Sequence, residues 1–80
     1  MGNRLDKGEL IMPLTMAGIG SENQIKRITG RDDTKRYLES LGFVEGVRIT
    51  VVSELGGNMI VNVKGSRVAI DKGMAVRIMV

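Results

Sequence analysis

The chain has no cysteine, no histidine and no tryptophan, a single proline, and only Tyr37 and Phe43 as aromatics in 80 residues. Without cysteine there is no disulfide and no thiolate, which fits a reducing, cytoplasmic compartment. Without histidine the commonest general base is missing, and with it the commonest metal ligand. Ser21, Ser40, Ser53 and Ser66 therefore have no base to activate them, and the sequence reads as a non-enzyme with no catalytic residue. Scarce aromatics also remove the stacking platforms of single-strand binders, which contribute about 1–3 kcal/mol per base. No apolar run approaches the ~20 residues needed to span a bilayer. Arg4, Asp6, Lys7 and Glu9 occupy the N-terminus where a signal peptide would need an apolar stretch.

What the chain does have is aliphatic. Hydrophobic residues make up 42% of it, nearly all Val, Ile, Leu and Met, so one small aliphatic core is expected. Twelve basic and nine acidic residues leave a net charge of +3 and a pI near 9.7, which permits an acidic partner without demanding one. The densest carboxylate pair, Asp32-Asp33, stands where a helix cap is wanted; of the six methionines Met59 falls in an inward strand pattern and Met12, Met16 and Met74 are scattered, which reads as packing and not as soft-metal capture. Gly18-Ile19-Gly20 lacks the Lys-Ser/Thr of a phosphate loop and precedes a strand pattern instead of a helix. No metal ligand set and no cofactor are predicted.

Residues 1–13 read as a flexible arm and residues 14–80 as the domain. Gln24 to Thr29 reads as a first, bulged strand. A helix follows, capped by Asp32 or Asp33, with Thr34, Tyr37, Leu38 and Leu41 on its inner face. Gly42 is placed for the left-handed residue that ends it, with Phe43 returning to touch Leu38, and Gly46 makes a second turn. From Val47 the period becomes two: Val47, Ile49, Val51; Met59, Val61, Val63; Val68, Ile70; Val76, Ile78, Val80. The pattern predicts a mainly all-β fold, a small SH3-like barrel of about five strands with one short helix, closed so as to hide its strand edges, with an open meander as the alternative.

Opposed residues of an antiparallel pair share a face, and this sets the expected registers. Val51 should face Val61 across a Leu55-Gly56-Gly57 loop, and Val63 should face Val68 across a Gly65-Ser66 loop of type II′, so Gly57 and Gly65 are expected as turn residues. These registers put Arg48, Lys64 and Arg67 in one outward row and Val52 beside Ile60 in another. Like charges directly opposite repel, so a retained cationic row suggests an anionic partner. The five residues form the candidate partner-binding surface; solvated, screened side chains are the plainer alternative.

Arg36-Tyr37-Leu38-Glu39-Ser40-Leu41-Gly42-Phe43-Val44-Glu45-Gly46, with the strand Val47 to Val52 behind it, resembles the FeoA family of bacterial ferrous iron uptake; Val68, Ala69 and Ile70 fit its later strand. The resemblance runs from about Leu14 to Val80. It implies an SH3-like barrel acting as a non-catalytic accessory on the cytoplasmic side of the transporter's membrane GTPase, peripheral to the inner membrane through that partner. The alternatives are a detached regulatory module of the metal-dependent repressor type and a small basic nucleic-acid-binding barrel. Nucleic acid is the less favoured partner because aromatics are few, and self-association stays open.

Overall fold

A computed structural model describes residues 11–80 apart from Arg31, so the proposed arm lies, over residues 1–10, outside the described residues. Six strands form two sheets: β1 (Glu22–Gln24), β3 (Arg48–Leu55), β4 (Asn58–Val63) and β5 (Ser66–Asp71) in the order β1-β3-β4-β5, and β2 (Arg27–Ile28) with β6 (Ile78–Met79). Helix α1 spans Asp33–Ser40, a single helical turn α2 spans Lys72–Ala75, and a 3₁₀ turn covers Leu14–Met16. Every pairing is antiparallel.

The predicted strand over Gln24 to Thr29 is two strands, and the split is what bends the sheet into a barrel. Ile25 gives its N–H to the Val47 carbonyl at 2.9 Å and accepts from the Gly46 N–H at 2.8 Å, whereas the next residue, Lys26, donates to the Met79 carbonyl at 2.7 Å. Adjacent amides of an extended chain point opposite ways, so one chain serves both sheets. Met12 and Pro13, which the sequence suggests belong to the arm, pair with the C-terminal strand: Met12 and Val80 exchange N–H to O bonds at 2.9 and 2.8 Å.

Ile25, Ile28, Leu38, Phe43, Ile49, Val51, Met59, Val61, Val63, Ile70, Ile78 and Val80 are buried in one cluster with Leu14, Ala17 and Ala75. Fully burying side chains of this size stabilises by about 1.5–3 kcal/mol each before chain entropy is subtracted. Val47 and Val68 pack on the cluster half-buried. Val76, expected to point inward, is exposed, because α2 interrupts the strand ahead of β6 and Val76 becomes its C-cap. The Asp71 carboxylate starts that turn by accepting from the Met74 N–H at 2.8 Å.

Both hairpins differ from the parity reading. In the first, Val51 faces Val61 as expected, but the register shifts between Val51 and Ser53, leaving Val52 as an extra residue. Leu55 then pairs with Asn58, and only Gly56-Gly57, at φ 58° and 87°, remain to turn the chain. In the second, Val63 faces Ser66 and Val61 faces Val68, so the turn is Lys64-Gly65 with φ 52° and 81°. Two positive φ values mark a type I′ turn, which follows strand twist. Parity could not exclude this register, since a slip of two residues keeps every side chain on its face. All six β4 residues now pair with all six of β5, including Met59 with Ile70, and this offsets the strain of Lys64 in the left-handed region.

On α1, Leu38 is buried but Tyr37 is half exposed, so the inner face is narrower than the sequence suggested. The helix closes with the Gly42 N–H on the Glu39 carbonyl and the Phe43 N–H on the Leu38 carbonyl, both at 3.0 Å, a Schellman motif with Gly42 at φ 105°. A Cβ at Gly42 would lie 3.4 Å from Val63 Cγ2. Gly42→Val is therefore expected to destabilise the fold by about 1 kcal/mol or more, read as a lowered denaturation midpoint. An unchanged midpoint would show that the cap carries no strain penalty.

Candidate partner-binding surface

The outward face of β3, β4 and β5 is ordered by these registers. Thr50, Asn62 and Arg67 form one row, extended by Glu22 of β1; Ser53, Ile60 and Ala69 form the next. Arg48, Lys64 and Arg67 consequently do not share a row, which corrects the sequence reading. Arg67 faces Asn62, Lys64 occupies the turn just past Val63, and Arg48 lies one step past Ile49, the residue that faces Val63. The three cations still gather at one end of the sheet, and all are exposed.

Arg48 is partly neutralised. Its Nη1 lies 3.4 Å from Glu22 Oε1, an exposed ion pair of the kind that contributes about 0–1 kcal/mol. Glu22 lies two residues ahead of the strand expected from Gln24, and alternation gives no sign of it. Lys64 lies beside the helix cap: a Cβ on Gly42 would sit 3.7 Å from Lys64 Cδ, so its alkyl stem runs past the C-terminal end of α1. Lys64 and Arg67 have no carboxylate within ion-pair distance among the described residues. Val52 and Ile60 are both half-buried, but Val52 sits in the bulge and Ser53 takes its place opposite Ile60. The most exposed of the large apolar side chains are Leu55, Met16 and Ile19, none of which periodicity singles out.

One further cation is held in place. The Arg77 Nη1 donates to Asp32 Oδ1 at 2.6 Å, and the Thr29 N–H bonds the Arg77 carbonyl at 2.9 Å, so the segment entering α1 is tied to the segment entering β6. Gly30 makes room for this: at φ 93° a Cβ there would sit 2.6 Å from the guanidinium nitrogen. Asp32 is at the N-cap position, yet its carboxylate makes no capping bond to α1 and serves Arg77 instead. That hydrogen bond, opposed by partial desolvation and aided by the guanidinium charge, holds the Asp32 carboxyl below its ordinary value and raises Arg77.

The described residues enclose no pocket and hold no group of three His, Cys, Asp or Glu side chains spaced for a metal. No helix among them is long and apolar enough to cross a membrane. Against known families, the FeoA domain matches residues 12–80, from Met12, which pairs with Val80, to Val80 itself.

The chain belongs to the FeoA family. A Methanocaldococcus jannaschii relative bearing the provisional name Fe(2+) transport protein A is 35% identical over 68 residues, 85% of this chain and 83% of the relative. The crystal structure of an iron uptake regulatory protein (FeoA) matches with a TM-score of 0.80 at 34% identity, over 88% of this chain and 93% of that one. A Stenotrophomonas maltophilia FeoA, solved with zinc and described as a prokaryotic SH3 domain protein, matches at a TM-score of 0.75 and 25% identity, over 84% and 86% of the two chains. The fold is thus the SH3-like barrel of FeoA structures. The same barrel covers 40% of a manganese-dependent transcriptional repressor, at a TM-score of 0.79 and 25% identity over 88% of this chain.

Within this FeoA barrel the Asp32–Arg77 bond makes a pH prediction. A depressed folded-state carboxyl contributes stability that is full above the ordinary value of 3.8 and is lost as pH falls through the lower folded value. Asp32→Asn should be less stable than the unaltered chain at neutral pH, and the two denaturation midpoints should converge below that window. A gap that persists at the acid end would contradict the assignment.

Proposed function

We propose that this chain is a non-catalytic accessory protein of a ferrous iron uptake system, acting by docking on an acidic part of the cytoplasmic face of the transporter's membrane GTPase. The observation that carries the reading is the FeoA match over residues 12–80. The surface that serves it is the cationic end of the sheet, Lys64 and Arg67 with Arg48 behind its Glu22 counter-ion, flanked by Val52 and Ile60. Exposed cations of one sign steer an acidic partner and set its orientation. No covalent step is assigned to the chain. It localises to the membrane only through its partner.

The repressor likeness favours a second reading, in which the barrel is a regulatory module whose partner is another soluble chain. Capture experiments with this protein as bait separate the two, because the first recovers the membrane GTPase from solubilised membranes and the second does not.

The decisive variant is Lys64→Asn combined with Arg67→Glu. Asn-Gly is the preferred type I′ turn pair, so the double variant should be at least as stable as the parent. Its binding to the GTPase should fall about tenfold or more, with a matching loss of salt sensitivity. Identical affinity for parent and variant would remove this surface from the proposal.

A further inference from the structure

The sheet order leaves the far side of β5 without a neighbouring strand among the described residues. Which backbone groups this frees follows from the turn. Lys64-Gly65 makes Val63 and Ser66 a hydrogen-bonded pair, after which bonded pairs recur at Val61 with Val68 and at Met59 with Ile70. Lys72 keeps the alternation, donating to the Gly57 carbonyl at 3.2 Å. The N–H groups of Arg67, Ala69 and Asp71, and the carbonyls of Arg67 and Ala69, therefore point away from β4. The side chains of these three residues are exposed, and Val68, on the inward face between them, is only half-buried.

We infer that β5 pairs with β5 of a second copy of this chain, antiparallel and centred on Ala69. In that register Arg67 faces the partner's Asp71 and Asp71 faces the partner's Arg67, while Val68 lies opposite the partner's Ile70 and loses its remaining exposure. The two Ala69 residues exchange both of their bonds, and each Asp71 N–H meets the partner's Arg67 carbonyl. A slip of two residues in either direction forfeits the match: Arg67 would face Ala69, or Asp71 would. Slips of four set Arg67 against Arg67 or Asp71 against Asp71. The edge is complementary to itself in one register, and closed two-fold symmetry limits the assembly to a dimer. Asp71 already caps α2 through Oδ1, which leaves Oδ2 for the guanidinium. The contact is small and its ion pairs are exposed, so it is weak and sensitive to salt.

The test uses the isolated full chain, with no transporter present, and so is independent of the docking proposal. Sedimentation velocity over a concentration series should show a monomer–dimer equilibrium, and the amide resonances that move with concentration should lie within Ser66–Asp71. Ala69→Pro removes an edge N–H and no ladder bond, so it should remain folded and raise the dimer dissociation constant about tenfold or more. Arg67→Glu sets like charges opposite each other and should raise it as well. A chain still monomeric at about 1 mM, shifts confined to another surface, or a folded Ala69→Pro that dimerises like the parent would overturn the inference. If Ala69→Pro does not fold, an unchanged constant for Arg67→Glu overturns it alone.

Discussion

Ile25 and Lys26 bond to different sheets, and the barrel depends on that divergence. The Ile25 amide and carbonyl complete the four-stranded sheet beyond β1, and the Lys26 amide begins the pairing of β2 with β6. Without the switch, β6 would keep only its pairing with Met12 and Pro13, and Ile28, Ile78 and Val80 would lose part of the wall that buries them. The Asp32–Arg77 bond and the Thr29 amide hold the same corner from the helix side. A barrel of this size has few alternatives, since an 80-residue chain buries little surface per residue and leaves sheet edges uncovered when it stays open.

The parts legible in the sequence were those fixed by local chemistry. Gly42-Phe43 after Leu38 announces a Schellman cap because few residues other than glycine take positive φ without strain, and the cap forms with both of its bonds. The alternation Ile49-Val51 and Met59-Val61-Val63 gave the faces correctly, because side-chain parity is a property of the strand itself. Register is not local. A bulge at Val52 and a two-residue slip at Lys64 both preserve the hydrophobic face, so nothing in the pattern opposes them, and the full pairing of β4 with β5 decides. The α2 turn was hidden for another reason: Val76, Ile78 and Val80 alternate like a strand, and only the Asp71 cap betrays the helical turn before them.

These register details decide what the surface presents. With the expected turn, three arginine and lysine side chains would have lined up directly opposite one another. The observed turn spreads them around one corner of the sheet, pairs one with Glu22, and leaves Lys64 and Arg67 free among the described residues. The same two-residue slip turns the amides of Arg67, Ala69 and Asp71 to the open edge. Charge presentation and edge chemistry thus share one structural cause, and a change at Lys64-Gly65 would alter both together.

The measurement that tests this most directly is the pattern of cross-strand Hα–Hα contacts in a nuclear Overhauser spectrum, because non-hydrogen-bonded pairs bring their Cα atoms to about 4.5 Å. The account predicts strong contacts between Asn62 and Arg67 and between Ile60 and Ala69. Contacts instead between Val63 and Val68 and between Val61 and Ile70, the non-hydrogen-bonded pairs of a Gly65-Ser66 turn, would restore the expected register and contradict it.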